Sequence, residues 1–146
     1  MISGINAKAP TPELMKRRLE RAGFRSISPL VDITNYLTLE RGRPMHAFDN
    51  DKLTGAINVR FPNTGEEMNL LNEQHVALAP DMLLITDAAG PVAIGGVMGG
   101  LESSVTDSTT SIFFEAAYFD PDVVQGKTRV LGINSDAAYR FERGVD

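Results

Sequence analysis

The sequence contains no cysteine, which removes disulfides, thiolate metal sites and a cysteine nucleophile together. Imidazoles are scarce as well, His46 and His75 being the only two. Long apolar runs are missing: the stretches 82–85 and 112–114 fall far below the roughly 20 residues that span a bilayer. No membrane segment is expected. The first twelve residues place Lys8 among alanines and prolines instead of pairing a basic start with an apolar run, so they do not read as a secretory signal. A cytoplasmic location is the expectation. Positive charge is also short, with 14 Lys and Arg against 19 Asp and Glu for a formal charge of −5. That balance excludes a domain that grips a nucleic-acid backbone over a long footprint, so any RNA contact should be local. Basic residues gather at Lys16, Arg17, Arg18, Arg21 and Arg25, and again at Lys127, Arg129, Arg140 and Arg143, a pattern that solvated helix faces also produce.

What is present is the composition of an ordinary globular domain, with 146 residues, 42% hydrophobic and 23% charged, which predicts one domain with one core. Thr11 before Pro12 reads as an N-cap, and Leu14, Met15, Leu19 and Ala22 then share one helix face up to Gly23. Ser28 and Pro29 repeat the start signal, and Leu30, Ile33, Thr34 and Leu37 form a second helical stripe that stops near Gly42. From Ile57 the period changes to two: Ile57, Val59 and Phe61 alternate, 62–65 is a turn, and Met68, Leu70 and Leu71 precede another turn at Asn72 and Glu73. Antiparallel strand pairs are expected there. The runs 82–86 and 112–116 read as buried strands that pair in a central sheet. Asp120 before Pro121 opens a third helix that Gly126 and Gly132 keep short. The predicted fold class is α+β, with a mixed, largely antiparallel sheet and helices grouped toward the N-terminal end.

The glycine-rich stretch GPVAIGGVMGG, 90–100, lacks both the GxGxxG spacing and a following Lys-Ser or Lys-Thr, so neither nucleotide fingerprint applies. Its glycines serve bulges and tight turns, or open a floor where a ligand meets backbone N–H groups. HAFDND, 46–51, gathers His46, Asp49 and Asp51, but one imidazole with oxygen ligands at this spacing matches no common zinc pattern, and no metal is expected. Glu115 sits inside the most apolar run of the chain. It either points to solvent by alternation or is buried and hydrogen-bonded, since an unpaired buried charge is too costly. No GxSxG nucleophile elbow occurs, and a covalent serine mechanism is not expected.

Several long segments in order carry a resemblance: VDITNY at 31–36 with RGRPMHAFD at 41–49, IGGVMGG at 94–100 with FFEAAYF at 113–119, and SDAAYRFERGVD at 135–146. Together with GINAKAPTPELMKRRLERAGFRSI at 4–27, they resemble the editing module in the β subunit of bacterial phenylalanyl-tRNA synthetase over nearly the whole chain. The resemblance implies hydrolysis of tyrosine wrongly attached to phenylalanine tRNA. It implies catalytic roles for His46, Thr34 and Asn35, and recognition of the tyrosine hydroxyl by Glu115. Gly99 and Gly100 match a glycine pair facing the ligand, Arg25 matches a polar pocket group, and Ser135 and Ala137 match small residues that keep the pocket open. Family members often have threonine at position 135 and serine at 138, where this chain has Ser135 and Ala138. The expected partners are the 3′ end of charged phenylalanine tRNA, the remaining β subunit and the α subunit. The chain is expected to be an excised fragment without cofactors of its own, ATP and magnesium belonging to the aminoacylation reaction of the parent enzyme. A noncatalytic RNA-contacting or subunit-packing module of the same enzyme is the alternative.

Overall fold

The computed structural model describes residues 1–145. Two compact units divide the chain, one formed by Met1–Asp51 with Val105–Ala117, the other by Lys52–Ser104 with the segment from Tyr118 onward. The first holds strands β1 (Ile2–Ser3), β2 (His46–Asp49) and β9 (Ser111–Glu115) with helices α1 (Glu13–Arg21) and α2 (Pro29–Arg41). The second holds β3 (Asn58–Arg60), β4 (Glu67–Asn69), β5 (His75–Ala77), β6 (Leu84–Thr86), β7 (Pro91–Ile94) and β8 (Met98–Gly99). It also holds the short helices α3 (Pro121–Val124), α4 (Lys127–Leu131) and α5 (Asp136–Phe141). The class is α+β, and every strand pairing among the described residues is antiparallel.

In the first unit α2 starts and stops on local chemistry. The Ser28 hydroxyl accepts from the Val31 N–H, Pro29 occupies the first turn, and Gly42 ends the helix at φ 79°, a left-handed conformation that glycine adopts without a Cβ penalty. Its buried stripe is Leu30, Thr34 and Thr38, while Ile33 is 40% exposed. The two threonines satisfy their hydroxyls within the helix, on the Val31 and Thr34 carbonyls at 2.8 Å each. Helix α1 starts differently from the sequence expectation. Pro12 is the capping position without a side-chain bond, because the Thr11 hydroxyl donates to the Asp32 carboxylate at 2.5 Å. Fully buried Asp32 also accepts from the Ser26 hydroxyl at 2.6 Å and the Ile27 N–H at 2.9 Å, the set of donors a buried carboxylate needs.

The sheet of this unit runs β1-β9-β2. Ala47 and Ile112 join Ala7 and Leu30 in the core, with Ile5, Val105 and Phe114 packed against it. Alternation then puts His46 and Phe48 on the opposite face, beside their register partners Glu115 and Phe113. Asp49, buried at the end of β2, accepts from the Thr109 hydroxyl at 2.7 Å.

In the second unit the four-stranded sheet runs β3-β6-β7-β8, and β4 pairs with β5 in a separate hairpin. The central pairing expected between 82–86 and 112–116 is absent: β6 pairs with β3 and β7, whereas β9 pairs with β1 and β2. Two apolar runs of similar length carry no record of which strand each prefers. Edge strand β3 turns Val59 and neighbouring Phe61 outward, at 59% and 53% exposure. The turn after it is closed by a bidentate Arg60–Glu66 pair at 2.7 and 2.6 Å. Glu73 takes a positive φ of 66° in the β4–β5 turn. Asp120 caps α3, and Gly126 and Gly132 separate the short helices.

Candidate functional site

Strand pairing sets His46 directly across from Glu115, where Cβ atoms of opposed residues lie about 4.5–5.5 Å apart. The imidazole stands edge-on to Phe48, with ring centroids 4.4 Å apart, and Phe48 in turn lies 6.3 Å from the Phe113 ring. Two titratable groups therefore share an aromatic strand face. Burial acts on both in the direction that suppresses charge. His46 is pushed down to about 4 and Glu115 up to about 7, desolvation being the cause each time. The Nε2 atom of His46 is shielded from solvent and has no hydrogen-bond partner. Buried polar atoms are nearly always partnered, so this nitrogen is where a water or ligand atom fits.

The remaining predicted residues distribute as follows. Thr34 is buried in α2 with its hydroxyl committed to Val31, and Asn35 is half-buried beside it. Among the described contacts neither is hydrogen-bonded to His46 or Glu115. Arg25 is exposed in the connection between α1 and α2. Gly99, Gly100, Ser135 and Ala137 lie in the second unit. The Gly100 N–H donates to the Val92 carbonyl at 2.8 Å, and a Cβ on Gly100 would come within 2.8 Å of that same oxygen. Close strand packing alone thus requires glycine there. The Ser135 hydroxyl caps α5 at the Ala138 N–H, 3.2 Å, and donates to the Val97 carbonyl at 2.5 Å. One side chain ties α5 to the glycine hairpin, and Ala137 sits half-buried in the first turn of that helix.

The sequence reading passed over a cleft of about 320 Å³ in the second unit, lined by Lys52, Glu67, Asn69, His75, Glu102 and Gly100 among others. Its polar side chains are linked to one another: His75 Nε2 lies 2.9 Å from Glu67 and Nδ1 lies 2.8 Å from Asn69. Alternation in the β4–β5 hairpin was the one available signal, since it places positions 67, 69 and 75 on one face. Among the described residues no three His, Asp or Glu side chains converge as a metal cage, and no helix is long and apolar enough to cross a membrane.

Comparison with known proteins identifies the family. The B3/4 domain matches residues 1–146. The chain belongs to the B3/4 domain family. It is 56% identical over 146 residues to the phenylalanine–tRNA ligase β subunit of Aromatoleum aromaticum, covering all of this chain and 18% of that protein. The corresponding subunit of Dechloromonas aromatica is 53% identical, with the same coverage. The chain thus spans about a fifth of the length of these relatives. Among solved structures, an N-terminal fragment of the phenylalanyl-tRNA synthetase β subunit from Pyrococcus horikoshii superposes with a TM-score of 0.51 at 14% identity, over 78% of this chain and 40% of that one. At that identity the likeness concerns the fold of this B3/4 domain alone.

Proposed function

We propose that this B3/4 domain is the editing module of a phenylalanine–tRNA ligase β subunit, hydrolysing tyrosine from mischarged phenylalanine tRNA in the cytoplasm. The observation that carries the reading is the desolvated His46–Glu115 pair with its unpartnered imidazole nitrogen. In the reaction a water attacks the ester carbonyl carbon, the tetrahedral oxyanion collapses, and the tRNA ribose oxygen leaves and takes up a proton. Tyrosine is released as the free acid. An aminoacyl ester is already activated, so holding the water and stabilising the oxyanion supply most of what is needed.

A histidine pushed down to about 4 is neutral at physiological pH and a poor proton acceptor, which suits His46 to orient the water through Nε2. Thr34 and Asn35 line the reacting end. A carboxyl group pushed up to about 7 occurs in both protonation states near neutrality, and either state hydrogen-bonds a phenol. Phenylalanine offers no hydroxyl and leaves Glu115 without that partner, which is how a polar site separates two amino acids that an apolar pocket barely distinguishes. The family resemblance gives Gly99, Gly100, Ser135 and Ala137 substrate-binding roles as well, and Arg25 supplies a polar group to the same function. The partners are the charged tRNA 3′ end, the rest of the β subunit and the α subunit.

The test is deacylation by the complete synthetase that carries this domain, with its phenylalanine tRNA charged with tyrosine or with phenylalanine. Tyrosine should be released selectively, and His46→Ala should slow that release by about 10²-fold, the scale of a misplaced reactant, while unfolding stays cooperative. Undiminished release in the variant would remove His46 from the reaction.

A further inference from the structure

Helix α1 concentrates positive charge in an otherwise acidic chain. From Glu13 to Arg25 five Lys and Arg stand against two Glu. Over whole units the first carries eight basic and eight acidic side chains, and the second six basic and eleven acidic. The second basic gathering, Lys127 to Arg143, is paired at three of its four members, with Asp81, Asp136 and Glu142. Arg17, Arg18 and Arg21 are all exposed, and their i, i+3 and i, i+4 spacing sets them on one face of the helix. The helix dipole favours Arg18 and Arg21 in the last turn, whereas Arg17 lies before it, and like charges four residues apart, as at 17 and 21, oppose helix formation.

Compensation is weak along this face. Among the described ion pairs only Arg17 meets a carboxylate, Glu13 at 3.9 Å, with both side chains more than half exposed. Arg18 donates to the Tyr36 hydroxyl on α2, and its guanidinium carbon stands 5.9 Å from the centre of that ring. A neutral group thus holds the guanidinium in place and leaves its charge free. Arg21 is exposed in the last turn. Three planar forks, one of them already oriented, match the oxygens of phosphodiesters better than ammonium groups do.

We propose that this face of α1 is a contact for the phosphate backbone of tRNA, apart from the hydrolytic residues and acting on affinity and orientation alone. The proposal rests on the reading of the domain as a tRNA-editing module. A basic face on an acidic chain attracts a polyanion at one place and repels it elsewhere, which orients its approach. An acidic or apolar protein surface docking against Arg21 and the exposed Leu14 is the competing occupant.

The complete synthetase is compared with its Arg17→Gln/Arg21→Gln double variant, measuring the dissociation constant of uncharged phenylalanine tRNA from 50 to 200 mM salt. Two lost phosphate contacts should lower the slope of log affinity against log salt by about 1.4–1.8, so that over this range the wild type loses about seven- to twelve-fold more affinity than the variant. Arg17→Lys/Arg21→Lys should restore the slope. In the deacylation assay KM should rise in the Gln variant and kcat should not change. An unchanged slope overturns the proposal, as does a Gln variant whose subunit association weakens while tRNA affinity holds. If the slope changes as expected but wild-type enzyme releases no tyrosine, the editing reading fails and the backbone contact stands.

Discussion

Glu115 and His46 both resist charge, and their effects on stability run in opposite directions with pH. Glu115 is raised from 4.5 to about 7 in the folded state, so its contribution is fully present below 4.5 and is lost as pH rises through 7. His46 is lowered from 6.5 to about 4, so its contribution is present above 6.5 and is lost as pH falls through 4. Between 4.5 and 6.5 the two slopes oppose each other and largely cancel. Glu115→Gln should expose the histidine alone, giving a melting temperature that falls as pH drops from 6.5 to 4. His46→Gln should show the reverse, its melting temperature rising as pH drops from 7 to 4.5. Thermal melts across that range check both signs. Parallel profiles for wild type and both variants would mean that neither group is desolvated in solution. Periodicity left Glu115 open between solvent and interior because its environment depends on β2, a strand distant in sequence, and on the register that sets His46 opposite.

Among elements, the β7–β8 hairpin shows how glycine permits close packing. Gly96 has φ +71°, and a Cβ there would stand 2.8 Å from Val124 Cγ2 and 3.2 Å from Phe119 Cδ2. Both neighbours belong to the buried layer in which Phe119 meets Phe141 edge-on, with centroids 5.0 Å apart. Gly96→Ala should therefore cost about 2–4 kcal/mol, combining a left-handed backbone with overpacking, measurable by denaturant unfolding. A loss below about 0.5 kcal/mol would show that the hairpin can move away from α3, since surface-like tolerance has that scale. The boundaries of α2 were legible because Ser28, Pro29 and Gly42 act on adjacent backbone. Thr11 was misread by the same local logic. Its hydroxyl is claimed by Asp32 at a separation of 21 residues, where a buried carboxylate outcompetes a helix N–H. Strand partners were not legible, since the 82–86 and 112–116 runs are interchangeable in composition and register is decided by what surrounds them. The turn at Asn72 and Glu73 was legible, because polar residues between short apolar runs have few other conformations.

At the scale of the molecule the candidate residues fall into two groups. His46, Glu115, Thr34, Asn35 and Arg25 belong to one unit, and Gly99, Gly100, Ser135 and Ala137 to the other. No single stretch of sequence carries the site. The assignment of these residues rests on segments whose order resembles a family, of which the B3/4 domain over residues 1–146 is shown. Selectivity is assigned to Glu115 alone among these residues. The most direct measurement is the ratio of deacylation rates on tyrosine-charged and phenylalanine-charged tRNA, for the complete synthetase and its Glu115→Ala variant, with a thermal melt of each. The wild type should prefer tyrosine, and the variant should lose about 1–3 kcal/mol of that preference, the scale of a lost hydrogen bond to a desolvated acceptor. A ratio unchanged by the substitution, with both proteins folded, would contradict the assignment of Glu115 as the group that reads the tyrosine hydroxyl.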